Sequence, residues 1–160
     1  MKILIQRVKY ARVDVEGQCV GSIGKGALIF LGVARGDAEG DVLYLVRKVA
    51  HLRMFEDTSG KMNLSAGDVS GEFLVVSQFT LLGDCGKGRR PSFDKAADPA
   101  QGEIFYNRFV EQLRARGFKV ECGRFRAMMD VSLLNDGPVT FILDSREGPG
   151  GEREQAVQDD

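Results

Sequence analysis

Seven consecutive residues, Ala27-Leu28-Ile29-Phe30-Leu31-Gly32-Val33, offer no polar side chain. Successive side chains of a strand point to opposite faces, so a strand built from this run has no face to give to water. Both of its sides must be covered. The sequence that follows supplies a cover: Val42, Leu45, Val46, Val49 and Leu52 recur at three- and four-residue steps. That spacing predicts an amphipathic helix from about Asp41 to Arg53, packed on the sheet through one apolar stripe.

The rest of the chain continues in the same terms. Residues 1 to 33 read as strands with a turn near Glu16-Gly17, and residues 56 to 71, containing Asp57-Thr58-Ser59-Gly60, read as a loop before the strand Phe73-Leu74-Val75-Val76. A second helix is announced by its cap: Asp98 offers a carboxylate, Pro99 fits the first helical position and Gln101 the third. Phe105, Phe109 and Leu113 form its expected buried stripe, and Gly117 ends it. Beyond Arg124, two strands are expected, about Met128 to Leu134 and Val139 to Asp144. Strands at both ends with two helices between them imply a single compact α+β domain over residues 1–146. Residues 147–160, opening on Glu147-Gly148-Pro149-Gly150-Gly151, bury almost nothing and are expected to be a disordered tail.

A chain of 160 residues buries roughly two thirds of the surface its unfolded form exposes, enough to fold without a metal or disulfide staple. The net charge of -1 shows no bulk basic excess, so a nucleic-acid partner must meet a local patch. The start, Met1-Lys2-Ile3-Leu4-Ile5-Gln6-Arg7, becomes charged too early for a signal-peptide core, and no apolar run approaches the ~20 residues of a membrane span. A cytoplasmic location with no membrane contact is expected. Cys19, Cys85 and Cys122 are odd in number and widely spaced, which reads as three free thiols.

Two segments carry the chemistry. Ser77-Gln78-Phe79-Thr80-Leu81 closes an apolar strand, placing polar side chains and backbone N–H groups at a sheet rim where the ladder no longer pairs them. Such donors can hold the oxyanion of a tetrahedral intermediate, and they can equally do no more than satisfy a strand end. Thr80 as a nucleophile needs a base, and the single histidine, His51, sits on the first helix beside Leu52, where histidines are usually structural. The second segment is Asn135-Asp136-Gly137-Pro138-Val139-Thr140. Asp136-Gly137 between apolar runs is a hairpin signal, but Pro138 removes a donor where the next strand should begin pairing.

In the pairing, order and spacing of these two segments the chain resembles the D-aminoacyl-tRNA deacylases, nearly end to end. The resemblance implies that family's fold, a β-sheet or barrel-like layer carrying two amphipathic helices, and a homodimer without metal or organic cofactor. It implies hydrolysis of the ester between a D-amino acid and the 3′ terminal adenosine of tRNA, with glycine mischarged on alanine tRNA as a further candidate substrate. Ser77, Gln78, Phe79 and Thr80 would form the catalytic segment, with N–H groups around Phe79 and Thr80 holding the carbonyl oxygen and the substrate's 2′-OH assisting. Gly137 and Pro138, joined by a cis bond, would enter the partner's site and exclude L side chains. Arg7 and Asn135 would support that element.

Further expectations rest partly on the same resemblance. Lys87, Arg89 and Arg90 form the densest basic stretch, ordinarily a solvated loop and here a possible acceptor-end contact. Met128 and Met129 can pack on an adenine, the resemblance favouring Met129, although strand alternation would put the two on opposite faces. Arg7 could otherwise be an edge-strand arginine facing water. Rival functions are a related deacylase that removes a mischarged L-amino acid and a non-catalytic tRNA-binding module.

Overall fold

The computed structural model describes residues 1–147. In chain order the elements are β1 (Lys2–Val15), β2 (Gln18–Ile23), β3 (Gly26–Gly32), α1 (Glu39–His51), β4 (Phe55–Glu56), β5 (Met62–Leu64), β6 (Glu72–Ser77), α2 (Pro99–Ala115), β7 (Val120–Cys122) and β8 (Asp130–Asp144). The long strand β1 organises them. Its first half pairs antiparallel with β3, from Lys2↔Gly32 to Val8↔Gly26, its second half pairs with β2, and its other edge carries β8. β3 then pairs parallel with β6, and β6 parallel with β7. At the far side β2 approaches β7 so closely that a Cβ on Gly21 would lie 2.5 Å from the Cys122 carbonyl oxygen. Glycine there lets the mixed sheet come near to closing.

The apolar run is covered on both sides, as its composition requires. Leu28 faces the inside of the curved sheet with Val8, Ala11, Val13, Ile23, Leu74 and Val76. Ala27, Ile29 and Leu31 face the helices, in a core with Val42, Leu45, Val49, Phe109 and Leu113. Tyr106 ties α2 to the sheet by donating its hydroxyl to the Val75 carbonyl at 2.8 Å, and burial pushes that phenol's pKa up. The stripe of α2 is turned slightly from expectation: Tyr106 and Val110 are buried, while Phe105 is half-buried against the same core.

α2 begins where its cap predicts, with the Asp98 carboxylate accepting the Gln101 N–H at 3.0 Å. Asp98→Ala should therefore cost about 1 kcal/mol in urea unfolding. α1 starts two residues earlier than expected, because the Asp41 carboxylate reaches back to the Ala38 N–H at 2.7 Å. The expected loop at 56–71 contains the small β4–β5 pair, and β7 escapes sequence patterning because three residues are too few for alternation to register.

The largest departure is at residues 128–144. The two expected strands are one, β8, and both parts run antiparallel to β1. Asn135 pairs with Val8 and Thr140 with Gln6, so residues 136–139 stand opposite Arg7 alone and leave the ladder as a bulge, not as a hairpin. A hairpin would pair the two halves with each other. Here β1 is fourteen residues long and receives both, while Pro138, lacking an N–H, gives nothing to a ladder. Apart from Glu147, the tail expected over 147–160 lies outside the described residues.

Candidate active site

The Gln78 N–H donates to the Leu31 carbonyl at 2.8 Å just after the end of β6. The chain then tightens into a 3₁₀ turn over Phe79–Leu82, closed by Leu81 N–H to the Gln78 carbonyl at 3.2 Å and Gly83 N–H to the Thr80 carbonyl at 2.9 Å. The first N–H groups of such a turn have no acceptor within it, which leaves those of Phe79 and Thr80 at the rim. The Gln78 side-chain amide donates to the Thr80 hydroxyl. Gly32 of β3 lies directly under the turn, where a Cβ would be 3.0 Å from the Gln78 carbonyl oxygen.

A cavity of about 550 Å³ opens beside this turn, with Ser77, Gln78, Phe79, Phe125, Met128 and Met129 on its walls. That is room for a nucleoside-sized ligand with an attached amino acid. Phe79 is 55% exposed and meets Phe93 edge to face at 5.0 Å, and Met128 is 91% exposed, so both apolar surfaces are free of the core. Although β8 begins only at Asp130, alternation already separates the two methionines: Met128 is exposed and Met129 is half-buried against the inner core of the sheet, and both border the cavity.

The start of α2 supplies another part of the wall, including Asp98, the sole carboxylate there among the described residues. It is engaged by the Gln101 N–H. His51 is exposed on α1 with Nδ1 2.9 Å from the Arg47 carbonyl, and it does not line the cavity. Thr80 is exposed and, unlike Ser77, Gln78 and Phe79, is not among the residues lining the cavity. Phe125, Asp98 and Gly102 are cavity residues that sequence reading does not place there. The cap at Asp98 is legible in the sequence, but its nearness to Ser77 depends on how α2 packs across the sheet.

Arg7 is only 4% exposed and is not a solvent-facing edge residue. Its Nε donates to the Asp136 carbonyl and lies 3.1 Å from Asp136 Oδ2, and its Nη1 donates to the Met54 carbonyl at 2.8 Å. Next to it, Gln6 donates to the Asn135 side-chain oxygen at 3.3 Å. These contacts anchor the base of the bulge, while Gly137 and Pro138, joined by a cis peptide bond, are exposed. Neither lines the cavity of its own chain, so a single chain does not bring the two segments together. Among the described residues the outer edge of β8 is unpaired, and Leu134 and Ile142 of the same strand are 46% and 68% exposed.

Asp84 and Ser92 exchange backbone hydrogen bonds of 2.8 and 2.9 Å that pin the base of the basic loop. The Gly86 N–H and Lys95 hold the Asp84 carboxyl below the usual carboxylate range. Lys95 is thereby engaged, whereas Lys87, Arg89 and Arg90 are exposed with no ion pair among the described residues, and they lie off the cavity wall. All three cysteines are free. No helix among the described residues is long and apolar enough to cross a membrane.

A family model described as D-Tyr-tRNA(Tyr) deacylase matches residues 4–144. The chain belongs to this family. A D-aminoacyl-tRNA deacylase of Geobacter metallireducens is 57% identical over 151 residues, covering 94% of this chain and all of the relative. One from Thermotoga petrophila is 57% identical over 145 residues, covering 91% and 97% of the two chains. Among solved structures, that of a c-Myc DNA Unwinding Element Binding Protein superposes with a TM-score of 0.83 at 43% identity, covering 90% of this chain and 98% of that one. A probable eukaryotic D-amino acid tRNA deacylase shares the fold, with a TM-score of 0.76 at 18% identity and coverage of 89% and 97%. Two helices on a nearly closed mixed sheet are thus the architecture of this deacylase family.

Proposed function

We propose that this family member hydrolyses the ester of D-aminoacyl-tRNA, releasing free tRNA and the D-amino acid. The observation that carries the reading is the rim turn: two backbone N–H groups without acceptors in the turn, at Phe79 and Thr80, beside a nucleoside-sized cavity with no free base on its wall. Water attacks the ester carbonyl carbon, the two N–H groups take the oxyanion, and collapse breaks the bond to the 3′ oxygen. The water's proton passes by way of the substrate's 2′-OH to that leaving oxygen. Each well-aimed donor can contribute ~3 kcal/mol, a sizeable part of the barrier reduction. Ser77 and Gln78 hold the turn, and Met129 and Phe79 offer surfaces for the adenine.

Chirality is enforced from a second subunit. The bulge of β8, anchored by Arg7 and Asn135, projects Gly137 and Pro138 outward. In a homodimer its main chain would occupy the space an L side chain needs, while D residues and glycine enter. The bare edge of β8 with Leu134 and Ile142 favours such pairing. Lys87, Arg89 and Arg90 contact the acceptor end, residues 1–146 carry the activity, no cofactor takes part, and the setting is cytoplasmic.

The assay compares ester hydrolysis on matched D- and L-aminoacyl-tRNAs. Rapid cleavage of the D ester alone is expected; equal rates, or cleavage of neither, would sink the proposal, and faster L cleavage would select a related L-deacylase. Thr80→Ala should lower kcat by no more than about tenfold, because the donor is its main chain; near-total loss would make the hydroxyl the nucleophile. A second reading, nucleic-acid binding without turnover, draws on the three unpaired cations of the basic loop and on the likeness to a protein named for binding a DNA element. Tight tRNA binding with an intact ester would select it.

A further inference from the structure

We propose that Arg126 grips the phosphate 5′ to the terminal adenosine of the substrate; the inference rests on the deacylase reading of the same cavity. The backbone at Arg126 is left-handed, with φ of 62°. The Ala127 N–H donates to the Arg124 carbonyl at 3.1 Å, closing a four-residue turn in which Arg126 is third. A positive φ at that position favours glycine or asparagine, and a long side chain is disfavoured there. Two other non-glycine residues have positive φ, Glu16 and Ser70, and neither lines the cavity. Arg126 does.

Its charge is also unspent. The guanidinium of Arg7 is held by the Asp136 and Met54 carbonyls, that of Arg114 by the Val120 carbonyl and that of Arg146 by the Arg35 carbonyl. Arg126 is exposed and has no hydrogen bond or ion pair among the described residues. Its neighbours place it at the mouth: Phe125 is half-buried in the wall and Met128 is 91% exposed. About 550 Å³ accommodates an aminoacyl-adenosine but little more, so the phosphodiester leading to the next nucleotide must remain at the mouth. A guanidinium offers that phosphate two parallel donors, and a phosphate contact carries no base preference. The disfavoured backbone thus keeps a free cation where the substrate's nearest phosphate must pass.

Two substrates separate this role from a structural one: D-aminoacyl-tRNA, and the same D-aminoacyl ester on adenosine, which keeps the 2′-OH but has no phosphate. Arg126→Gly removes the charge and suits the backbone, so its thermal midpoint should hold or rise. Arg126→Gln removes the charge with the backbone strain retained. In both variants KM for the tRNA ester should rise about tenfold, the effect of losing a guanidinium–phosphate contact at a solvent-exposed mouth, with kcat within about twofold. The slope of log KM against log salt should fall by about 0.7, as for one single-strand phosphate. Hydrolysis of the adenosine ester should change less than about twofold. An unaltered KM for the tRNA ester, or an equal loss on both esters, would overturn the assignment. Wild-type protein that cleaves neither ester overturns the deacylase reading itself, which the variants then cannot be blamed for.

Discussion

Gly32→Ala should lower kcat on D-aminoacyl-tRNA by about 10- to 100-fold while the protein remains folded. The new Cβ would stand 2.6 Å from Leu82 Cδ2, 3.3 Å from Leu81 Cβ and 3.0 Å from the Gln78 carbonyl oxygen. The Leu82 methyl is the end of a flexible side chain and can turn aside. The Gln78 carbonyl cannot, because it accepts from Leu81 N–H at 3.2 Å while its own residue's N–H is tied to Leu31 at 2.8 Å. The strain passes into the 79–82 turn, which lifts by a few tenths of an ångström and re-aims the N–H groups of Phe79 and Thr80. Oxyanion donors are worth most at the transition state, so the loss falls on kcat more than on KM. Overpacking of this kind costs about 1–3 kcal/mol of stability, within what a domain can bear. Single-turnover rates together with urea unfolding make the check; an unchanged kcat would remove the turn from the mechanism.

Arg7→Ala is expected to act on stability and selectivity together. Two charge-assisted hydrogen bonds to carbonyls, at 3.1 Å to Asp136 and 2.8 Å to Met54, disappear from a site where the arginine is 4% exposed. The ion pairs matter less, since the Asp136 and Glu56 side chains are 32% and 57% exposed and remain hydrated. The hydrogen bonds and the lost packing together predict about 2–4 kcal/mol of destabilisation in urea unfolding. Residues 136–139 lose the group that anchors their base, so the ratio of D to L turnover should fall at least about tenfold, with D turnover itself less affected. Arg7→Lys keeps a charge but cannot reproduce the fork that spans both carbonyls, and should fall between the two. Stability within about 0.5 kcal/mol of wild type, with the selectivity ratio intact, would show that the bulge holds its shape unaided.

These outcomes bear on how much of the molecule is legible in its sequence. The covering of Ala27–Val33, the stripe of α1 and the cap at Asp98 each follow from residues a few positions apart, and each appears in the structure. Local rules err where a distant strand offers a better partner. Asp136-Gly137 satisfies hairpin chemistry, yet β1 takes both flanking segments and the turn becomes a bulge. Alternation across Met128 and Met129 does carry over, leaving Met128 exposed and Met129 half-buried against the core.

The sequence by itself determined the α+β class, both helices and the two segments proposed to carry the chemistry, because periodicity, capping and turn preference act within about one turn of chain. Only the tertiary structure decided what surrounds those segments. Arg7 reaches Asp136 across 129 positions, the start of α2 and the loop at Phe125 meet the end of β6, and Gly32 lies under a turn that begins more than forty residues later. Such contacts arise from packing a nearly closed sheet against two helices, and no local preference encodes which distant backbone will arrive beside a given residue.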